Sequence, residues 1–165
     1  MADAQVFVIH PEKDNDVLQK LISEYNDRTF GNTIVKIKYV DSSQPLLPGH
    51  DFGETIKTYI NNAACVLAII TPNSLKSTWV NQEIGFTLGK EKPLLTVKKY
   101  TMSSKGCGFL HSSIDSQLYK KDQRGFPKID KFFENEYGKT ANKVLGSLTI
   151  KPTKETGKVA SRRVK

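Results

Sequence analysis

The amino-acid sequence predicts an α/β fold in which an open, mainly parallel sheet of four to five strands carries helices on both faces. Short apolar runs alternate along the chain with segments of helical periodicity, which is the pattern of parallel strands joined by crossover helices. The run from Ala63 to Ile70 is apolar throughout, as expected of a strand covered on both sides. A length of 165 residues suits one domain with its own hydrophobic core.

The first predicted strand and helix lie close together near the N-terminus. Gln5 to Ile9 reads QVFVI, a short continuous apolar run typical of a buried strand. The next apolar residues repeat at intervals of three and four as far as Tyr25, which predicts a helix. Asp14 or Asn15 is expected to cap its N-terminus, because either side chain can accept a hydrogen bond from the first free backbone N–H groups.

The second predicted strand is more exposed than the first. Thr33 to Val40 alternates apolar and polar residues, and Lys36 and Lys38 fall on the same face of the strand. A loop with two prolines and a glycine follows, and Phe52 to Asn62 is predicted to be a helix. The wholly apolar run that begins at Ala63 is then the third strand, and we expect it in the middle of the sheet.

The remaining elements are predicted with weaker signals towards the C-terminus. A helix is expected from Thr78 to Gly89, with Val80, Ile84, Thr87 and Leu88 as its core stripe, and a fourth strand from Lys92 to Lys99. Ser116 to Lys120 is a candidate short edge strand. The segment from Phe126 to Leu145 contains an amphipathic helix, and Pro127 suits the first turn of that helix.

The positive charge of the chain is concentrated in its last residues. Of the net charge of +8, residues 151–165 carry +5, which leaves +3 for residues 1–150. A short basic segment with few apolar residues is expected to be a disordered, solvated tail, so we predict no specific nucleic-acid partner. No apolar run approaches the roughly 20 residues that span a bilayer, and no secretory signal is evident, so we expect a cytoplasmic protein without a membrane partner.

Several common catalytic and cofactor motifs are absent from the sequence. There is no GxGxxG, GxxxxGK[ST], GxSxG or HExxH pattern, and no aspartate follows the third strand as a phosphoacceptor would. Cys65 and Cys107 are expected to be free thiols, because neither has a second Cys or His at metal-ligand spacing. We therefore predict no metal site and no bound cofactor.

The most informative stretch is TPNSLKSTWVNQEIG, residues 71–85, which follows the central strand. Trp79, the only tryptophan, and Glu83 are four residues apart and share a helix face, and Phe86 lies on the same side as Trp79. In an open α/β sheet, ligands bind beyond the carboxyl ends of the strands. Spacing alone leaves two interpretations open, an edge of the core or an active site. In either one the pKa of Glu83 is expected to rise beside the aromatic surface.

Three segments together resemble the signature boxes of the TIR (Toll/interleukin-1 receptor) domain. They are VFVIHPEKD, LPGHD and TPNSLKSTWVNQEIG, in that order. Ile9 stands where the family often has serine, and Pro11 where it often has a polar residue. The resemblance implies a flavodoxin-like sheet and a TIR domain over residues 1–146, followed by the basic tail of residues 147–165.

The resemblance also implies a function and a set of site residues. Many TIR domains cleave NAD+ at the nicotinamide-ribose bond, and the family's catalytic glutamate falls on Glu83. Trp79 and Ser77 would then line the nicotinamide and ribose end of the pocket, and His10, Pro11 and Phe86 are further candidates for substrate contact. The loop through which TIR domains assemble is similar to the segment that contains Leu47, Pro48, Gly49, His50 and Asp51.

The expected activity is that of an NAD+ nucleosidase, with NAD+ as substrate and nicotinamide plus ADP-ribose or a cyclic ADP-ribose isomer as products. A TIR protein of this size resembles the signal producer of prokaryotic antiviral systems such as Thoeris, in which a downstream effector responds to the nucleotide. The alternative, from a different class, is a non-catalytic adaptor that recruits other TIR domains through residues 41–51. A third candidate is a related enzyme acting on another N-glycoside.

Overall fold

The computed structural model describes residues 1–41, 51–100, 102 and 116–138. Within these ranges the sheet has six strands in the spatial order β2-β3-β1-β4-β5-β6. The strands are β1 (Ala2–Ile9), β2 (Thr29–Phe30), β3 (Thr33–Lys38), β4 (Cys65–Ile70), β5 (Leu94–Lys99) and β6 (Gln117–Tyr119). All neighbouring pairs are parallel except β2 and β3. Apart from β2, this is the strand order of flavodoxin-like sheets, as the sequence predicts.

Five α-helices of the described residues connect or follow the strands. They are α1 (Asn15–Tyr25), α2 (Phe52–Asn62), α3 (Pro72–Lys76), α4 (Thr78–Gly89) and α5 (Pro127–Phe133). A single 3₁₀ turn, Glu12–Asp14, precedes α1, and a π-helical turn, Glu134–Gly138, continues α5. The predicted bounds of α2 and α4 are confirmed, and Pro127 occupies the first turn of α5 as expected.

The predicted count of four to five strands is too low, because β2 carries no periodicity signal. It has only two residues, which pair antiparallel with β3 across a turn containing Gly31. Gly31 has a φ of +59°, which favours glycine, and a Cβ at this position would lie 2.5 Å from the carbonyl oxygen of Tyr137. The extra strand therefore depends on a tight turn against the C-terminal π-helical turn.

Two apolar layers cover the sheet. On one side α1 and α5 pack against residues such as Val8, Leu67 and Val97, and on the other α2 and α4 pack against Phe7, Val66 and Ile70. Every residue of β4 is buried between its neighbours β1 and β5, which confirms the predicted central strand. Successive β4 residues thus belong to opposite layers, as the pleat of a strand requires.

Three local predictions need correction. Asp14 precedes α1, but its side chain makes no capping hydrogen bond there, because it is engaged with Thr71 and Asn73 instead. The short helix α3 was not expected between β4 and α4. Leu88, which helical spacing assigns to the core stripe of α4, is 39% exposed because α4 packs on the sheet through Val80, Ile84 and Thr87.

Some predictions fall outside the described residues. These are the four loop residues Leu47 to His50, Cys107, and the basic tail. Cys65 is a free, buried thiol. Within residues 1–41, 51–100 and 116–138, no helix combines the length and the apolar character needed to cross a bilayer.

Candidate active site

A cleft of about 600 Å³ opens at the carboxyl ends of β1 and β4. These strands are neighbours, and their chain connections leave the sheet in opposite directions, so the cleft lies at the topological switch point of the fold. One wall of the cleft is the segment at the end of β1, and the opposite wall is the segment after β4. The residues that line the cleft are Phe7, Val8, His10, Pro11, Glu12, Lys13, Val40, Phe52, Asn73, Lys76, Ser77, Trp79, Val80 and Glu83. The cleft is where an open α/β sheet binds ligands.

His10, directly after β1, lines this cleft and has a ring nitrogen without a hydrogen-bond partner. Its Nδ1 lies 3.2 Å from the carbonyl oxygen of Pro11, and its ring stands edge-on to Tyr39 with centroids 6.0 Å apart. A carbonyl oxygen can only accept, so Nδ1 carries the proton in this contact and Nε2 of the neutral ring is an acceptor. Nε2 is buried and has no hydrogen-bond partner in the described part of the chain. The acceptor capacity of Nε2 is therefore unused in the described residues.

The opposite wall is built at the junction of α3 and α4. Ser77 ends α3 and caps α4, its hydroxyl accepting from the backbone N–H of Val80 at 3.3 Å. The side chain of Asn81 donates to the carbonyl of Ser77 at 2.9 Å. These bonds fix the direction in which α4 begins, and hence the position of Trp79 in its first turn.

Trp79 lies at the mouth of the cleft. Its ring meets that of Phe52 nearly edge to face, with centroids 5.6 Å apart and an interplanar angle of 66°. The side chain is 52% exposed although it is the largest in the chain. A tryptophan held on one side and open on the other has a free surface on which a planar or cationic group can stack.

Glu83 follows one helical turn later and is partly buried. Burial raises the pKa of its carboxyl from 4.5 to about 7, because the charged form loses solvation. No described residue gives the carboxylate a hydrogen bond or an ion pair that would offset this loss. The expected rise in pKa is thus confirmed, and the ionised form of Glu83, a residue that lines the cleft, is a poorly solvated anion.

Two lysines add positive charge to the rim. Lys13 lies on the turn after β1 and Lys76 on the last turn of α3, so each wall contributes one exposed cation. Glu12, beside Lys13 on the same turn, also lines the cleft. In the described residues no group of three His, Cys, Asp or Glu side chains is arranged to hold a metal ion. The rim suits a ligand with an anionic group.

The structure brings most of the predicted site residues together. His10, Pro11, Ser77, Trp79 and Glu83 all line the cleft. Phe86 does not, because it packs against the apolar layer under α4 while the Lys90 ammonium lies over its ring.

Other site residues were missed by the sequence reasoning. Of the residues Leu47 to Asp51 proposed for assembly, the structure describes only Asp51, which caps α2 by accepting from the N–H of Gly53 at 2.8 Å. Lys13, Lys76, Phe52 and Asn73 line the cleft without having been singled out. Lys13, Asn73 and Lys76 lie in the segments that follow β1 and β4. Their position after a parallel strand was the sequence signal that could have marked them as site residues.

Comparison with known proteins places these observations in a family. A family model of the TIR domain matches residues 6–125. Among solved structures, the TIR domain of the Toll-related receptor TRR-2 from Hydra magnipapillata is similar at 14% identity and a TM-score of 0.46, over 86% of this chain and 97% of that one. The TIR domains of the activated Roq1 resistosome, which directly recognises the effector XopQ, are similar at 14% identity and a TM-score of 0.46, over 86% and 77%. Comparison with curated proteins gives no match.

Proposed function

We propose that this chain, which belongs to the TIR domain family, cleaves NAD+ at the nicotinamide-ribose bond with Glu83 as its catalytic residue. The family includes NAD+-cleaving enzymes and non-catalytic adaptors, so membership alone does not decide between them. The observation that carries the proposal is the Glu83 carboxylate, partly buried, without a charge partner among the described residues, and facing a cleft that Trp79 also lines. A merely structural helix residue gains nothing from that position, since burial costs its anion solvation.

The reaction requires only one carboxylate because of its leaving group. Nicotinamide is bound to ribose as a cationic pyridinium, so when the C–N bond breaks, the electron pair stays on nitrogen and nicotinamide departs neutral. No general acid is needed, whereas in glycoside hydrolysis an acid must protonate the leaving oxygen. The positive charge passes to the ribosyl carbon and ring oxygen, and an anionic Glu83 stabilises that developing cation.

The other cleft residues have distinct tasks in this proposal. Trp79 stacks on the nicotinamide ring and on the cationic transition state. His10 accepts a hydrogen bond from a ribose hydroxyl through Nε2. Lys13 and Lys76 attract the diphosphate of the substrate. Each task uses a residue that lines the cleft.

The product depends on which nucleophile reaches the ribosyl cation. Attack by water forms a new C–O bond, releases a proton and gives ADP-ribose. Attack by the adenosine moiety of the same molecule gives a cyclic ADP-ribose isomer. In either case we propose an immune signalling role, with a downstream effector that responds to the nucleotide and with self-association of TIR domains completing the site.

The test is direct measurement of nicotinamide release. Wild type at high concentration, with and without a crowding agent, is incubated with NAD+ and the products are followed by mass spectrometry. Glu83→Ala and Glu83→Gln are run beside Glu54→Gln, which neutralises an exposed carboxylate on the neighbouring helix α2. We expect a loss of about 10²- to 10³-fold in both Glu83 variants, the scale of removing one dominant electrostatic contribution, and no loss in the control.

The outcome also separates the two classes of function. Turnover by Glu83→Ala equal to wild type, with the fold intact by circular dichroism, removes the catalytic assignment. A wild type that self-associates but releases no nicotinamide favours the adaptor, and recruitment of a second TIR domain would then be measured.

A further inference from the structure

The buried carboxylate of Asp14 joins the turn after β1 to the segment after β4, which form the two walls of the cleft. Asp14, on the turn after β1, is only 8% exposed. Its Oδ2 accepts a hydrogen bond from the Thr71 hydroxyl, and its Oδ1 accepts from the Asn73 side-chain amide at 3.3 Å. Both donors belong to the segment after β4, 57 and 59 residues further along the chain. The backbone N–H of Asp14 bonds to the carbonyl of Pro11 at 3.0 Å, which ties the same turn to the first wall.

Thr71 and Asn73, the two donors to Asp14, lie at the N-terminus of α3, where the second wall begins. The Thr71 hydroxyl accepts from the backbone N–H groups of Asn73 and Ser74 at 3.1 and 3.3 Å. In return the Ser74 hydroxyl accepts from the Thr71 N–H at 2.7 Å, which completes a capping box for α3. One turn later α3 ends at Ser77, the N-cap of α4. An unbroken series of hydrogen bonds thus links Asp14 to the helix that carries Trp79 and Glu83.

We propose that Asp14 is a positioning residue: it sets the distance between the loop that holds His10 and the helix that holds Glu83. Asp14 does not line the cleft and touches no ligand there; it acts through Thr71 and Asn73. The carboxylate form suits this position because it only accepts hydrogen bonds and both neighbours donate. The turnover measurements below rest on the proposed function, whereas the fluorescence measurement does not.

The principal variants are Asp14→Asn and Asp14→Ala, with Asp16→Asn as matched control. Asp16 is an exposed acid in the first turn of α1, so the control makes the same charge change two residues away. An asparagine at position 14 keeps one acceptor but turns an NH₂ group towards a donor, and alanine loses both bonds. We expect kcat for NAD+ cleavage to fall about 10-fold for Asn and about 100-fold for Ala, with KM within about threefold of wild type, as misplacement of a catalytic group predicts.

Trp79 gives a readout that needs no activity, because it is the chain's only tryptophan. Acrylamide quenching of its fluorescence should increase in Asp14→Ala and stay at the wild-type value in Asp16→Asn. The reason is that the first turn of α4 becomes more mobile only when the hydrogen bonds of Asp14 to Thr71 and Asn73 are lost. All variants are measured at a temperature where circular dichroism shows a folded chain.

A double-mutant comparison tests whether Asp14 acts through Thr71. Thr71→Ser keeps the hydroxyl and should retain turnover, whereas Thr71→Val removes it and should lose about as much kcat as Asp14→Ala. If both belong to one series, the double variant Asp14→Ala/Thr71→Val loses no more than the worse single variant. Fully multiplicative losses would overturn the proposal.

Two further results would also contradict it. A folded Asp14→Ala with wild-type quenching and wild-type kcat shows that the tie positions nothing. If wild type proves inactive towards NAD+, the proposed function fails, but a wild-type quenching constant in Asp14→Ala still refutes the positioning role and an increased one still supports it.

Discussion

The ring of Trp79 packs nearly edge to face on that of Phe52, with centroids 5.6 Å apart. Trp79 is in the first turn of α4, and Phe52 is the first residue of α2. The contact therefore joins the helix that carries Glu83 to the helix that begins after residues 42–50, a segment that contains the residues we propose for assembly. A structural change caused by self-association through that segment would be transmitted to Trp79 through its contact with Phe52.

Replacing Trp79 should weaken catalysis in proportion to the aromatic surface removed. We expect kcat/KM for NAD+ to fall about 10- to 100-fold in Trp79→Ala and clearly less in Trp79→Phe, because loss of one stacking contact costs about 1–3 kcal/mol. Leu88→Ala is the control, since Leu88 is also an exposed apolar residue of α4 but does not line the cleft. Equal losses in Trp79→Phe and Trp79→Ala would exclude a stacking role.

The rate of NAD+ cleavage should rise with pH through the neutral range. Only the anion of Glu83 stabilises the ribosyl cation, and burial raises the pKa of this carboxyl to about 7. We therefore expect kcat/KM to increase about tenfold per pH unit below pH 7 and to level off above it. A flat profile between pH 5 and about 8 would contradict the role of Glu83 as the ionised group.

The same pKa shift predicts a change in stability with the opposite sign. The folded chain holds the Glu83 proton more tightly than the unfolded chain, whose carboxyl titrates near 4.5, so the free energy of unfolding falls as the pH rises from about 4.5 to about 7. Glu83→Gln removes this penalty. In chemical denaturation at pH 8 the variant should be more stable than wild type by about 1–3 kcal/mol, and near pH 4 the difference should vanish.

Two glycines should respond to alanine in opposite ways. Gly31 has a left-handed φ of +59°, and a Cβ there would lie 2.5 Å from the Tyr137 carbonyl oxygen, so Gly31→Ala should lower the free energy of unfolding by about 1–3 kcal/mol. Gly85 lies inside α4, where a Cβ would meet no neighbouring atom within 4 Å, so Gly85→Ala should raise it by about 0.5–1 kcal/mol. Thermal unfolding of both variants beside wild type checks the pair. A destabilised Gly85→Ala would show that α4 is constrained there.

Local signals in the sequence were sufficient for the longer helices and the parallel strands, though not for the two-residue strand β2 or the short helix α3. The apolar run that became β4 predicted a central strand because a residue buried on both faces of a sheet needs no polar alternation. The bounds of α2 and α4 followed from the helical period, and the structure adds that Asp51 and Ser77 are their N-caps. The segment after β4 also placed Trp79 and Glu83 on one helix face, and its position after a parallel strand placed them at the ligand-binding edge.

Only the tertiary structure showed which distant residues share that edge. Asp14 was one of two residues expected to cap α1, because sequence spacing reveals near neighbours alone. The fold instead brings it to Thr71, 57 residues away, where a buried carboxylate must find donors. Phe52 reaches the cleft for the same reason, through the packing of α2 beside β1 rather than through spacing. The size of the rise in the pKa of Glu83 is set by burial under neighbouring elements. Desolvation depends on every atom packed around the carboxyl, and the linear sequence does not specify that packing.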